Sequence, residues 1–260
     1  MSPVFEFDTG ASEGNRMKTE MEKNIEALMK KWADYCHRKW PKSIFVKDGA
    51  FPCYEDQQTK ILFIGRELYG KKNDGDGLVI NYWDERAGMD NLGVFQSRLL
   101  YLAYGISKGQ CTEAHWKKMQ CAAELDCRFA TEEFSYAFMN ASKLLNVDGT
   151  QIGDVFYDFI NDKTNQDFFI REIELLNPDI IVSGNLGDIG FMAKLEESCK
   201  VKQSAKHLNS QNRFNYLFEG KISWIDTWHF SAHKAHFEGF YQPVCEAAAI
   251  FLGKEQGTTD

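Results

Sequence analysis

Residues 60–65 read KILFIG and residues 179–184 read DIIVSG. In each, an unbroken apolar run leads to a glycine. A strand with one wet face alternates apolar and polar side chains, whereas a run that stays apolar is buried on both faces. Residues 135–140, SYAFMN, have the same character. Helical periodicity separates the three. LGVFQSRLLYLAYGI at 92–106 carries an apolar stripe, and TNQDFFIREIELLNP at 164–178 has Thr164 as its expected N-cap and Pro178 as its stop. Upstream, Ile25, Leu28, Met29, Trp32, Tyr35 and Cys36 recur at helical spacing, Thr19 and Glu22 form a capping box, and Pro41 ends the run. Downstream, residues 215–228 read as two extended runs around Glu219–Gly220, and 237–252 returns to helix. Strands alternating with helices predict a parallel sheet with helices on both faces.

The totals fit that reading. The chain has 260 residues, 43% of them hydrophobic and 26% charged, which suits one globular domain. Residues 1–16 are polar and read as a loose arm, leaving 17–260 as a single domain. Nothing approaches a bilayer-spanning run, and the N-terminal stretch has no signal-like apolar segment. Seven cysteines at irregular spacing, with no C-x-x-C, predict reduced thiols in a cytoplasmic protein. The nearest grouping, Cys111, Cys121 and Cys127, lacks the spacing of a zinc or iron–sulfur site. A net charge of −8 argues against indiscriminate nucleic-acid binding but allows a local basic groove.

Open α/β sheets bind ligands beyond the carboxyl ends of their strands. The first strand delivers Glu67, Tyr69 and a glycine-rich loop there, the second Asn140, and the third Ser183, Gly184 and Asn185. The last extended run delivers Asp226 and then HFSAHKAH, with His229, Ser231, His233 and His236. Each has a plain structural reading beside the functional one. Glu67 reads equally as a solvated loop acid, Asn140 as the N-cap of a helix opened by NASK, and SGN as a tight turn. The histidines read as surface residues or as metal ligands, although no acid at matching spacing completes a metal site. The glycine-rich loop lacks the order of a P-loop. Residues 83–93 read as a lid or a solvated connection, and Trp32, Trp40, Phe63, Phe95, Tyr101 and Phe169 read as core.

Taken together and in order, these segments resemble the uracil-DNA glycosylase superfamily. Its classical members open their site with G-Q-D-P-Y and continue, after a short loop, with G-L-x-F-S. Here GRELY stands at 65–69 and GLVIN at 77–81, with the family's spacing between the glycines. AFMN, ending at Asn140, is similar to the second site strand, NPDIIVSGN to the third, and HFSAHKAHFEGFY from His229 to Tyr241 to the H-P-S motif with its following glycine and aromatics. The resemblance covers residues 65–241. It implies a three-layer α/β/α sandwich around a short, mainly parallel sheet. It also implies a DNA glycosylase that swings a nucleotide out of the helix and hydrolyses its N-glycosidic bond.

In that frame Glu67 takes the acidic position beneath the sugar, and His229 takes that of the histidine donating to the departing base. Tyr69, Ile80, Asn81 and Asn140 would line the base, and Gly184, Asn185 and Ser231 would hold the DNA backbone. The resemblance implies no metal or other cofactor, DNA as the partner, no membrane, and a monomer. The chain departs from the pattern at four points. Glu67 replaces Asp, Leu68 replaces Pro, Ile80 and Asn81 replace the stacking Phe and its Ser, and Phe230 replaces the Pro of the last motif. Losing the aromatic platform removes roughly 1–3 kcal/mol of base stacking. The expectation is therefore a modified pyrimidine, one with a bulky or polar C5 group such as those of phage DNA, contacted by Asn81. Ordinary uracil removal in repair, a catalytically idle nucleic-acid or nucleotide-binding protein, and a small-molecule hydrolase on a similar sheet are the alternatives.

Overall fold

A computed structural model describes residues 18–68, 79–81, 93–109, 112–118, 122–146, 153–198, 200–204, 214–232 and 237–253. The expected arm at 1–16, the lid at 83–92, Tyr69, Cys111, Cys121, His233 and His236 lie outside the described residues.

The buried runs pair as a parallel block. Strands β3 (Ile61–Gly65), β5 (Ala137–Asn140), β6 (Ile180–Gly184) and β9 (Ile222–Thr227) stand in the order β5-β3-β6-β9, all parallel. Antiparallel strands extend both edges: β2 (Gly49–Ala50) beside β5, and β8 (Phe214–Phe218) then β7 (Val201–Gln203) beyond β9, giving seven strands. The β8–β9 hairpin turns through Glu219 and Gly220, at φ 50° and 71°, where the two extended runs were expected to meet. A separate parallel pair joins β1 (Phe45–Lys47) to β4 (Val79–Asn81), with Ile80 opposite Val46 and Asn81 opposite Lys47.

Alternate residues of the central strands feed two cores. Leu62, Ile64, Met139, Ile181 and Trp224 face one, and Ile61, Phe63, Phe138, Val182 and Ile225 the other. Full burial of each such side chain contributes about 1.5–3 kcal/mol. Helices α1 (Glu20–Lys39), α5 (Asp154–Asn161), α6 (Lys163–Leu176) and α7 (Phe191–Glu197) cover the first face. Helices α2 (Val94–Lys108), α4 (Ala122–Arg128) and α8 (Gln242–Phe251) cover the second, and α3 (Glu113–Lys118) also contributes Trp116 there. The architecture is the expected three-layer α/β/α sandwich around a mainly parallel sheet. Among the described residues no helix is long and apolar enough to cross a membrane. Cys36, Cys53, Cys127 and Cys245 are free thiols.

Helix α1 begins as its sequence requires: Thr19 Oγ1 accepts from the Glu22 N–H and Glu22 Oε2 accepts from the Thr19 N–H. Helix α6 does not begin at Thr164. Asp162 caps it, accepting from the Asn165 N–H at 2.9 Å while its carboxylate also holds the Tyr35 hydroxyl and Lys39. A charged acceptor serving three donors outcompetes a neighbouring threonine hydroxyl. Residues after Asn140 do not form a helix. Their amides bond across to other segments, Ala141 to the Gly65 carbonyl, Ser142 to that of Arg66 and Leu145 to that of Ile44.

Candidate functional site

Because β5, β3, β6 and β9 are parallel and in register, Asn140, Gly65, Gly184 and Thr227 end in one row. With strands about 4.8 Å apart, the loops carrying Glu67, Asn140, Asn185 and His229 leave from a single rim of the sheet.

The loop after β3 is fixed by the segment after β5. Besides the Ala141 and Ser142 bonds, the Asn146 N–H donates to the Leu68 carbonyl. Asn146 Nδ2 then donates to Glu67 Oε1 at 3.0 Å. Glu67 is half-buried and faces a cavity of about 360 Å³ that Ser43, Ser142, Asn146, Asp154 and Phe156 help to line. Burial raises the Glu67 pKa, and the Asn146 bond and the Arg66 charge oppose the rise. The result is a carboxyl group with one protein donor among the described residues and a cavity beside it. Neither Asn140 nor His229 lines this cavity.

His229 leaves β9 through a tight turn, its carbonyl accepting from the Ala232 N–H. The Ser231 N–H donates to His229 Nδ1 at 3.2 Å, so the single proton of the neutral ring sits on Nε2. Burial, then the charges of Arg66 and Arg98, push the His229 pKa down to about 4. At neutral pH the imidazole is therefore an uncharged Nε2–H donor. The Phe95 ring lies 6.1 Å away, tilted by 50°, so this aromatic, expected as core, borders the rim. Ser231 orients His229 through its backbone and is itself exposed. The Arg66 charge acts on both Glu67 and His229.

Asn140 is 2% exposed and engaged elsewhere. Its backbone N–H and its Nδ2 both donate to Asp48 Oδ2, at 2.6 and 3.2 Å. Asp48 in turn pairs with Lys143, whose Nζ lies 2.7 Å from Glu172 Oε2 and 5.1 Å from the centre of the Trp32 ring. All three charged side chains are buried, and burial raises both carboxyl pKa values. Asn140 thus belongs to a buried polar network, with part of its amide already committed, rather than standing free at a base edge.

The turn after β6 is likewise occupied. The Asn185 N–H, at φ 65°, donates to the Thr227 carbonyl at 2.9 Å. Leu186 and Gly187 donate to Asp226 at 2.9 and 2.8 Å. These three residues leave no backbone donor for a phosphate, contrary to the expected role of Asn185. Gly184 is needed for packing: a Cβ there would stand 3.0 Å from the Phe230 ring. Ile80 and Asn81 are placed by their backbone in β4, beside β1.

A scan against protein-family models finds no match, and no curated protein matches the chain.

Sequence reasoning missed Arg66, Arg98, Asn146 and the Asp48–Lys143–Glu172 group. Two carried a signal. Arg66 sits inside GRELY, directly between a strand-ending glycine and the acid, and Glu172 shares the stripe of Phe169, Ile173 and Leu176, where a charge must be buried.

Proposed function

We propose that the protein is a DNA glycosylase that hydrolyses the N-glycosidic bond of a flipped, C5-modified pyrimidine. The observation that carries the reading is the bond from the Ser231 N–H to His229 Nδ1, which leaves Nε2 to donate, on the same rim as the half-buried Glu67. Burial and the nearby arginines favour the neutral ring. Cleavage breaks the bond between C1′ of the sugar and the base nitrogen, and the bonding electrons leave with the base. A donor facing the base oxygen stabilises that developing anion, and a neutral histidine does so without having to lose a charge. Ionised Glu67 stabilises the cationic sugar and accepts a proton from the water that adds to C1′. The cavity beside Glu67 lies within the size range of small-ligand pockets. The C5-modified base is favoured by Ile80 and Asn81, which stand where the resembled family has Phe and Ser.

The test is a panel of single- and double-stranded oligonucleotides carrying uracil, mismatched thymine or C5-modified pyrimidines, scored for alkali-sensitive abasic sites. The proposal expects abasic sites at a C5-modified base and a loss of about 10²-fold or more in Glu67→Gln. Removal of plain uracil alone contradicts the modified-base assignment, and no abasic site on any substrate contradicts the enzyme. The commitment of the Asn140 amide to Asp48 favours a second reading, a nucleotide-binding protein without turnover. That reading expects binding unaffected by Glu67→Gln and no abasic product.

A further inference from the structure

Arg66 follows β3 directly, and Arg98 lies in the second turn of α2, one turn beyond Phe95. Both are half-buried. Arg98 Nη1 donates to the carbonyl of Phe230, the residue after His229, at 2.5 Å, and its guanidinium stands 5.6 Å from the centre of the Phe240 ring. That bond fixes the fork of Arg98, and no bond to its Nη2 is found among the described residues. Arg66 uses its carbonyl to hold Ser142, but among the described residues its guanidinium makes no hydrogen bond or ion pair, and its Nε is buried without a partner. Two other arginines are paired with acids. Arg128 is bonded to Glu133, and Arg171 to Glu174 at 2.9 Å. The chain carries 38 acids against 30 bases, so carboxylates are not scarce. Two half-buried guanidinium groups with no ion pair among the described residues, one bonded to the carbonyl next to His229 and one at the end of β3, make a positive spot on an acidic protein.

We propose that Arg66 and Arg98 form an anion site beside His229, and that its ligand is a phosphate group of the DNA strand entering the rim. The planar guanidinium fork matches a phosphate through paired N–H···O bonds, and it meets the buried Arg66 Nε with an acceptor. The backbone amides of residues 185–187 are already used, so the phosphate contact falls to side chains. The anion site stands on the two arginines; the DNA strand as the source of the phosphate rests on the glycosylase reading.

The test measures binding of a fluorescein-labelled oligonucleotide by anisotropy between about 50 and 200 mM salt. Wild type is compared with Arg66→Gln, Arg98→Gln and, as a control on an exposed cation, Lys221→Gln. Each arginine variant is expected to bind about tenfold more weakly. Its plot of log affinity against log salt becomes shallower by about 0.7–0.9, while Lys221→Gln matches wild type. In parallel, inorganic phosphate at constant ionic strength is expected to shift the His229 ring resonances of wild type but not of either arginine variant. Should one variant fail to fold, Arg66→Lys or Arg98→Lys replaces it and is expected to keep the salt slope while losing affinity with the fork. Arginine variants with wild-type affinity and slope, or no phosphate shift in wild type, overturn the proposal. A phosphate shift in a wild-type protein that makes no abasic sites keeps the anion site and removes the glycosylase.

Discussion

Glu67 and Asp226 are both carboxyl groups whose pKa burial pushes upward, and they stand at the ends of strands two places apart in one sheet. Asp226 is closed. It accepts from Ser183 Oγ at 2.6 Å and from the Leu186 and Gly187 amides, and Trp224 Nε1 bonds to the same Ser183 oxygen at 2.8 Å. Every donor around it is spent on shaping the turn after β6. Glu67 is open, with Asn146 as its one donor among the described residues and a cavity beside it. A buried acid surrounded by donors is structural, and one left with a single donor beside a cavity has lone pairs to offer a water or a substrate. That difference separates two acids that the sequence places at strand ends, of which only Glu67 takes a site position in the resembled family.

The largest expected effect breaks the closed side. Asp226→Ala leaves a hydroxyl and two amides without their acceptor and should destabilise the fold by roughly 3 kcal/mol in urea unfolding. Glu67→Gln should stay within about 1 kcal/mol of wild type in the same experiment, while abolishing most turnover. Equal destabilisation by the two would erase the contrast.

The second prediction uses pH. Burial raises the Asp226 pKa to about 6 in the folded protein, above the roughly 3.9 of an unfolded chain. The folded state therefore holds this proton more tightly. Its contribution to stability is fully present below about pH 4 and is lost as pH rises through about 6. Unfolding of Asp226→Ala should lack that decline between about pH 4 and 6, and a variant retaining the whole wild-type slope would place the proton elsewhere.

The third sharpens the open side. Asn146→Leu removes the bond that holds the Glu67 pKa down, so that pKa moves higher still. The acidic limb of the pH–rate profile should shift upward, with about tenfold lost at its plateau. A loss of rate with an unmoved limb would make Asn146 merely structural.

The smallest concerns Gly184. Gly184→Ala sets a methyl group against the Phe230 ring and should cost roughly 1 kcal/mol. Because Phe230 adjoins His229, the same variant should slow turnover more than it destabilises the fold, which paired unfolding and rate measurements would decide.

What was legible in the sequence was whatever local chemistry specifies. The capping box of Thr19 and Glu22, the fully apolar runs of β3 and β6, and the turn at Glu219–Gly220 each carry their instruction within a few residues. What was not legible depends on partners far along the chain. Asp48 meets Asn140 across 92 residues and Lys143 across 95, and no period or motif announces such a meeting. Asn140 and Asn146 look alike in sequence, yet packing commits one to Asp48 and sets the other on Glu67. The Asn185 turn reads as a phosphate loop until Asp226 and Thr227 are found on its amides.

Single-turnover release of base from a duplex holding one C5-modified pyrimidine tests the central claim most directly, with wild type, Glu67→Gln and His229→Ala side by side. The account predicts release by wild type, and a fall of about 10²-fold or more in each variant with folding intact. Release that survives both substitutions, or a wild-type protein that releases no base, would contradict it.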